Sequence, residues 1–265
     1  MLQILERLFG AADKTVLVTG GSRGIGRMIA AAFVDAGATV VITARHADEC
    51  AETAEQLNST GAGGSCHPIA SDLSTEQGVA ALVADIRQMT ASVDVLVNNA
   101  GATWGAPFED YPASAFEKVV AINLTAPFLL TQALLPLLRA AGDEGAPARV
   151  INIGSADGIR TPSMETYAYS ASKAGLLALT RHMAKTLVDD HILVNAIAPG
   201  PFDSKMMAFV LGNEKGRSKV AASVPAGRIG HPDDIAGVAL FLAGAGAAYL
   251  VGETICVDGG VTNVA

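Results

Sequence analysis

Short β-branched runs alternate with longer helical patterns along almost the whole chain, and that alternation narrows the possible folds more than any other feature. The candidate strands are 15–19 (TVLVT), 38–44, 66–70, 93–98, 149–153, 192–197 and 254–258. Helical patterns lie between them near 25–36, 47–59, 75–89, 113–138, 167–189 and 232–243. Repeated strand–helix–strand units demand a parallel sheet with helices laid across its faces, and right-handed crossovers wind it both ways. The strands are almost unbroken in apolar residues, the pattern of a sheet covered on both sides. The expectation is an α/β protein: a single doubly wound Rossmann domain over 1–265, with a seven-stranded parallel sheet and helices on both faces. One connection is too long for this rhythm. Residues 200–226 separate the sixth strand from the last helix, and an insertion of that length suits a substrate lid.

Composition excludes several classes. Hydrophobic residues make up 50% of the 265 and charged ones 17%, which supports a large core and argues against disorder. No apolar run reaches the roughly 18 residues that span a bilayer. The amphipathic opening MLQILERLFG, with Glu6 and Arg7 inside it, lacks a cleavage-site pattern. No membrane partner is expected. A net charge of −8 argues against nucleic acid, so any anionic ligand must be held by local groups. Cys50, Cys66 and Cys256 are odd in number and far apart, as suits reduced thiols in a cytoplasmic protein. None has a histidine at ligand spacing, so no metal is expected.

The segment TVLVTGGSRGIGRMIAAAF sets Gly20, Gly24 and Gly26 between the first strand and the first helix. Glycines let the backbone turn tightly and approach a pyrophosphate, while the helix N-terminus offers free N–H groups and a positive dipole end. In that position the loop predicts a dinucleotide site. Its G-x-x-x-G-x-G spacing departs from the general G-x-G-x-x-G. A fold that prefers NAD ends its second strand with an acid on the ribose diol. Here that strand runs ITARH, with Arg45 at the end and no carboxylate before Asp48. Arg45 and Arg23 are either a clamp for a 2′-phosphate or ordinary solvated arginines. The missing acid and the two bases agree on NADP(H).

The stretch YAYSASKAG, 167–175, places a phenol and an ammonium one helical turn apart. Residues i and i+4 share a face, which pairs Tyr169 with Lys173 and leaves Tyr167 out of register. A free tyrosine titrates near pH ~10. An ammonium about 4 Å away at effective dielectric ~20 supplies up to about 4 kcal/mol, roughly three pK units. Ser155, fourteen positions earlier, ends a strand, where its hydroxyl can meet a developing alkoxide. Asn123 is a poor choice for a helix interior, either a functional residue or a solvated one.

The glycine spacing, VNNAG at 97–101, Ser155 and Tyr169-x-x-x-Lys173 occur together and in this order. In these motifs the chain resembles the short-chain dehydrogenase/reductase family from about residue 13 onward, and within it the NADPH-dependent 3-oxoacyl reductases. The resemblance implies that Tyr169 is the catalytic acid/base and that Lys173 holds the nicotinamide ribose and lowers the phenol pKa. It implies that Ser155 holds the substrate oxygen and Asn123 anchors a water of the proton relay. It puts Gly20, Ser22, Arg23, Gly24, Ile25 and Gly26 against the cofactor, with Arg45, Tyr169 and Lys173. Asp72 (at the adenine edge), Leu73, Asn99, Ala100, Gly101, Pro199 and Gly200 fall at further contact positions. Ser204 stands where the family often has a threonine on the nicotinamide amide.

The implied reaction is NADPH-dependent reduction of a 3-oxoacyl thioester to the 3-hydroxy product. The carrier is acyl carrier protein or coenzyme A; the stretches RAAGDEGAPAR and LVDDHI are mixed in charge where carrier-accepting relatives are basic. Trp104 either lines the substrate pocket or fills the core. Met206 and Met207, with Phe209, Val210 and Leu211, suit an acyl chain or plain packing. His182 and His191 lack partners at useful spacing and are assigned to structure. Rival readings are a dehydrogenase of another secondary alcohol (steroid, polyol or cyclic ketone) and an NADP(H) sensor without catalysis. The intact Ser155, Tyr169 and Lys173 count against the sensor. The long apolar helices around 113–138 and 167–189 have more hydrophobic surface than one sheet face covers, and the family packs such helices into a homotetramer.

Overall fold

A computed structural model of the chain describes residues 2–204 and 207–264. Seven strands form one sheet: β1 (Thr15–Thr19), β2 (Thr39–Ala44), β3 (Ser65–Ala70), β4 (Val95–Asn98), β5 (Ala148–Ile153), β6 (Ile192–Pro199) and β7 (Thr254–Val257). All pairings are parallel, in the order β3-β2-β1-β4-β5-β6-β7. β1 lies in the middle, with Val16 facing Val40 on one side and Val95 on the other. The order reverses there, so a crevice opens beyond the carboxyl ends of β1 and β4. β4 starts two residues later than its apolar run suggests, because Asp94 turns its carboxylate onto the Thr15 amide at 2.8 Å.

Residue parity explains why the strands read as unbroken apolar runs. Val16, Val18, Val40, Ile42, Val95, Val97 and Ile151 face one helical layer. That layer holds α2 (Gly24–Asp35), α3 (Ala47–Asn58) and α10 (Pro232–Ala243), with Phe33, Leu57 and Leu242 turned inward. Leu17, Val41, Leu96, Val150 and Val194 point the other way. They meet α4 (Glu76–Met89), α6 (Ala126–Ala141) and α7 (Tyr167–Leu187) through Leu82, Leu134 and Met183. Successive strand side chains alternate faces, and both faces are dry. The amphipathic opening forms α1 (Leu2–Phe9), whose Phe9 lies 6.2 Å from Phe241 of α10.

Two departures from the sequence expectation matter. The helix expected at 113–138 is α5 (Ala113–Val120), a π turn over Ala121–Thr125, and α6, which runs on past Pro136 to Ala141. Together they make a 29-residue helix, among the described residues the one helix long and apolar enough to cross a membrane. Asn123, Thr125, Thr131 and Gln132 interrupt the apolar run in the sequence and hide that length. Its Leu130, Leu134 and Leu138 are buried against the sheet, the place of a core helix. The 200–226 segment contains α8 (Ala208–Leu211) and α9 (Glu214–Ala222), the second capped by Asn213 accepting from the Gly216 amide at 2.9 Å. Phe202 is buried and bridges to Gly230, where a side chain would collide with the Phe202 ring, so the base of the segment is closed.

Inside the core runs a polar chain with no counterpart in the sequence reading. Asn98 Nδ2 donates to Asn152 Oδ1 at 2.9 Å and to Thr131 Oγ1 at 3.2 Å. Asn152 Nδ2 in turn donates to Thr180 Oγ1 at 2.8 Å. All four residues are buried, so each bond lacks competition from water. The chain links α6, β4, β5 and α7 just below the crevice. Asn152→Ala removes two of these bonds and strands a buried donor, and is expected to cost about 2–4 kcal/mol in urea unfolding. A change below about 0.5 kcal/mol would show that the links are incidental.

Candidate active site

The glycine loop is built by close approach. Gly20 and Gly24 have φ of +63° and +54°, which glycine adopts without strain. At Gly26 a side chain would collide with the Gly20 carbonyl and the Asn99 amide. Asn99 Nδ2 donates to Thr19 O at 2.8 Å and to Gly20 O at 3.2 Å. The Thr19 hydroxyl accepts from the amides of Asn99 and Ala100, both at 2.9 Å. The VNNAG segment and the glycine loop are thus sewn together, and much of the hydrogen bonding of Asn99 is spent on that seam. Arg23 sits at the N-cap of α2 with extended backbone and no side-chain cap, so the opening amides of the helix are free to meet an anion. Ser22 takes its place through its carbonyl, which accepts from Thr53 Oγ1 at 2.9 Å, and Ile25 packs on the core under the loop.

The other expected cofactor positions follow the carboxyl ends of the neighbouring strands. Arg45 is exposed just past β2. Asp72 is exposed beyond β3 and accepts from the Ser74 hydroxyl at 2.7 Å and the Ser74 amide at 3.1 Å, which hold its carboxyl below the usual range with help from Arg45. Leu73 turns its side chain into the core, 6% exposed beside Ala100, which leaves its backbone as the part that can meet a cofactor. Pro199 ends β6, and a side chain at Gly200 would lie 2.7 Å from the Asp258 backbone. Ser204 lies against Gly24, its Cβ 3.2 Å from where a side chain there would begin. The start of the 200–226 segment therefore crosses over the glycine loop.

Tyr169 and Lys173 occupy the first two turns of α7, and they face each other. Lys173 Nζ is 5.8 Å from the centre of the Tyr169 ring. The ammonium is buried and donates to the Ile153 carbonyl at the end of β5 at 2.6 Å. Burial pulls its pKa down to about 8. Of its three N–H donors this uses one. Gly101 keeps the approach open, since a side chain there would sit 3.8 Å from Nζ. Set by the chain's own groups, the phenol of Tyr169 lies above its ordinary value, where the resemblance implies a lowering by Lys173. Burial raises it, Ser155 hydrogen bonding opposes that, and the Asp157 carboxylate adds a further upward push. The ammonium, 5.8 Å from the ring centre and bonded to Ile153, does not offset the cost of burial.

Ser155 follows β5 and is buried; its hydroxyl accepts from the Asp157 amide at 3.1 Å, which holds it beside the phenol. Asn123 is fully buried in the π turn, which excludes a solvated residue. Its Oδ1 accepts from the Ala102 amide at 2.8 Å, and its Nδ2 donates to Ala102 O at 2.9 Å and to Ser172 Oγ at 3.0 Å. Ser172 then donates to the Tyr169 carbonyl at 2.8 Å. Ser172 and Asp157 are the site residues that sequence reasoning missed; both sit one short step from a residue it chose. The extra residue of the π turn is what re-aims Asn123 at the VNNAG segment.

The site opens between apolar side chains. Trp104 is 50% exposed and so does not fill the core. Phe108 and Tyr111 meet Tyr167 edge-on, both at 5.5 Å between ring centres. Tyr167 thus faces away from the chemistry and pins the first turn of α7 to the 102–112 segment. Ile159 and Met164 are exposed on the other side. Met207 is half-buried, and Met206 lies outside the described residues.

Known proteins share this arrangement. A family profile described as Enoyl-(Acyl carrier protein) reductase matches residues 20–262. The chain is 48% identical to the rhamnolipids biosynthesis 3-oxoacyl-[acyl-carrier-protein] reductase of Pseudomonas aeruginosa, over 95% of this chain and 97% of that one. It is 36% identical to the 3-oxoacyl-[acyl-carrier-protein] reductase FabG of Aquifex aeolicus, over 94% and 97% of the two chains. A solved structure described as the Pseudomonas aeruginosa RhlG/NADP active-site complex matches with a TM-score of 0.93 at 46% identity, covering 97% of this chain and 99% of that one. With the glycine loop, the VNNAG segment and the Tyr169–Lys173 pair set around one crevice, and with relatives of this identity spanning nearly its whole length, the chain belongs to the short-chain dehydrogenase/reductase family.

Proposed function

We propose that the protein reduces a 3-oxoacyl thioester to the 3-hydroxy thioester with NADPH, within one catalytic domain over 1–265. The observation that carries this reading is the Tyr169–Lys173–Ser155 set at the end of β5, with two N–H donors of a buried ammonium left unused beside a phenol. The relatives named for 3-oxoacyl reduction support the substrate class. The residues present fit a phosphorylated dinucleotide. The glycine loop and the first turn of α2 hold the pyrophosphate, Arg23 and Arg45 the 2′-phosphate, and the free N–H groups of Lys173 the nicotinamide ribose. The bound cofactor supplies the hydride.

The side chains supply the proton and the geometry. Burial keeps Tyr169 protonated at neutral pH, ready to donate to the ketone oxygen. Ser155 donates to that same oxygen as negative charge grows on it. Lys173, with a pKa near 8, is still largely charged at pH 7 and steadies the phenolate left behind. Asn123 fixes the frame through Ala102 and Ser172, and one lone pair of its Oδ1 remains for a relay water. The 200–226 segment serves as lid, in which Ser204 would meet the nicotinamide amide and Met207 the acyl chain. Trp104 forms the opposite wall. The carrier is acyl carrier protein or coenzyme A, and the compartment is the cytoplasm, where Cys50, Cys66 and Cys256 stay as thiols.

The same architecture supports a homotetramer. Only 39% of the most apolar window of Ala113–Ala141 is buried. Leu124, Phe128, Gly175, Ala178 and Leu179 line a shallow apolar concavity on the outer faces of α6 and α7. Apolar surface of that kind marks an interface.

Four outcomes follow. Tyr169→Phe should keep nucleotide affinity and lose about 10²–10⁴ in kcat on an acetoacetyl thioester, measured by NADPH absorbance; substantial residual turnover would sink the acid role. A panel of ketoacyl thioesters and simple ketones, run with NADPH and NADH, should show the thioesters preferred. For Lys173 the sign is set by burial. Between about pH 8 and 10.5 the unfolded chain holds a proton that the folded chain has released, so stability rises with pH across that window. The urea midpoint of the unaltered chain should therefore rise relative to that of Lys173→Met from pH 8 to 9.5, and a constant offset contradicts it. Light scattering should return four chains per particle, and a monomer would contradict the interface.

A further inference from the structure

Of the two arginines assigned to the 2′-phosphate, Arg23 already faces a carboxylate. Arg23 Nη1 lies 3.3 Å from Glu49 Oε2, with 45% and 46% of the two side chains exposed. Arg45 acts on Asp72, whose carboxyl is held down first by Ser74 and then by that arginine. Glu49 is no loose surface residue. It stands in the first turn of α3, and the same face of that helix is tied to the glycine loop twice more. Thr53 Oγ1, one turn on, donates to Ser22 O at 2.9 Å, and Arg27 Nη2 donates to Gln56 Oε1 at 3.0 Å. Arg23 and Arg27 are one turn apart on α2, so the two helices meet along matched rows and Glu49 is held at the open end of the seam. That end adjoins Ala44 and Arg45, where a dinucleotide's adenosine ribose lies past the second strand.

We propose that Glu49 is a specificity-determining brake on 2′-phosphate binding. It competes with the phosphate for Arg23 and offers the ribose diol of an unphosphorylated dinucleotide the carboxylate that β2 itself lacks. The inference rests on the NADP(H) reading above. Its logic is electrostatic. A phosphate dianion seated on Arg23 lies beside a fixed negative charge, while a free 2′-hydroxyl donates a hydrogen bond to it. An exposed pair of this kind is worth little on its own, so the phosphate can displace it, but at a cost in affinity. The chain then accepts both nucleotides with a smaller bias than two unopposed arginines would give.

Isothermal titration of NADP⁺ and NAD⁺ into the unliganded full-length chain tests this without any turnover. Glu49→Gln should shift the NADP⁺-to-NAD⁺ affinity ratio toward NADP⁺ by about twofold to fivefold. The shift should grow at low salt, since the pair is exposed. It should vanish in an Arg23→Gln background, because the competition runs through that guanidinium. Glu49→Ala should behave as Glu49→Gln does. An unchanged ratio overturns the proposal. So does weaker NADP⁺ binding in Glu49→Gln, which would make Glu49 a positioning residue that holds Arg23 in place. An unaltered chain that binds neither nucleotide would defeat the cofactor reading itself, and the brake with it.

Discussion

The contact on which the site depends is the hydrogen bond from Lys173 to the Ile153 carbonyl. Ile153 is the last residue of β5, and its carbonyl is available because the strand ends there. By accepting from the ammonium it fixes α7 against the sheet and sets how far Tyr169 stands from the crevice. A buried ammonium with one protein partner is costly, and the lowered pKa near 8 records that cost. Glycines on two sides make the burial possible. At Gly158 a side chain would lie 2.8 Å from the Lys173 carbonyl carbon, and at Gly101 one would lie 3.1 Å from Asn123 Oδ1. Helix, strand end and loop can therefore approach the lysine as closely as they do only because these two positions lack Cβ.

A second layer of polar bonds carries that placement across the sheet. Thr19 and Asn99 lock the ends of β1 and β4 together. Asn98, Asn152 and Thr180 continue the lock through β5 into α7. Asn123 and Ser172 return it from α7 to the segment after β4. The carboxyl ends of three adjacent strands are thus fixed by directional bonds, whereas hydrophobic contact dominates the rest of each strand. Apolar packing tolerates small slips that a hydrogen bond does not, which places the rigidity where proton transfer needs it.

This division also decides what the sequence can reveal. The sheet, its seven strands and the site of the glycine loop are legible because periodicity and glycine placement are local properties. Tyr169 and Lys173 are legible because one turn of helix puts them together. Asn123 stood out only as a residue out of character for a helix, since the π turn that explains it depends on contacts with Ala102, 21 positions away. Glu49, Ser172 and the Asn98–Asn152 pair were hidden because their partners lie on other elements. Arg149 was read as part of an ordinary strand, yet it is 3% exposed, donates to Gly244 O at 3.2 Å and is pushed down to about 10 by burial. Leu73 shows the reverse case: a motif position names it, while the inward turn of its side chain depends on packing under the loop.

The acidity of the site follows from the same burial. Low polarity favours the neutral form of every group, so it raises the phenol and lowers the amine. At neutral pH the phenol keeps its proton, while the amine, one unit below its midpoint, keeps most of its charge. That combination suits a proton donor with a cation beside the oxygen it vacates. The reverse reaction asks for a phenolate at the outset, and both burial and the Asp157 carboxylate oppose one. At neutral pH the chain's own groups thus hold Tyr169 and Lys173 in the protonation states from which reduction starts.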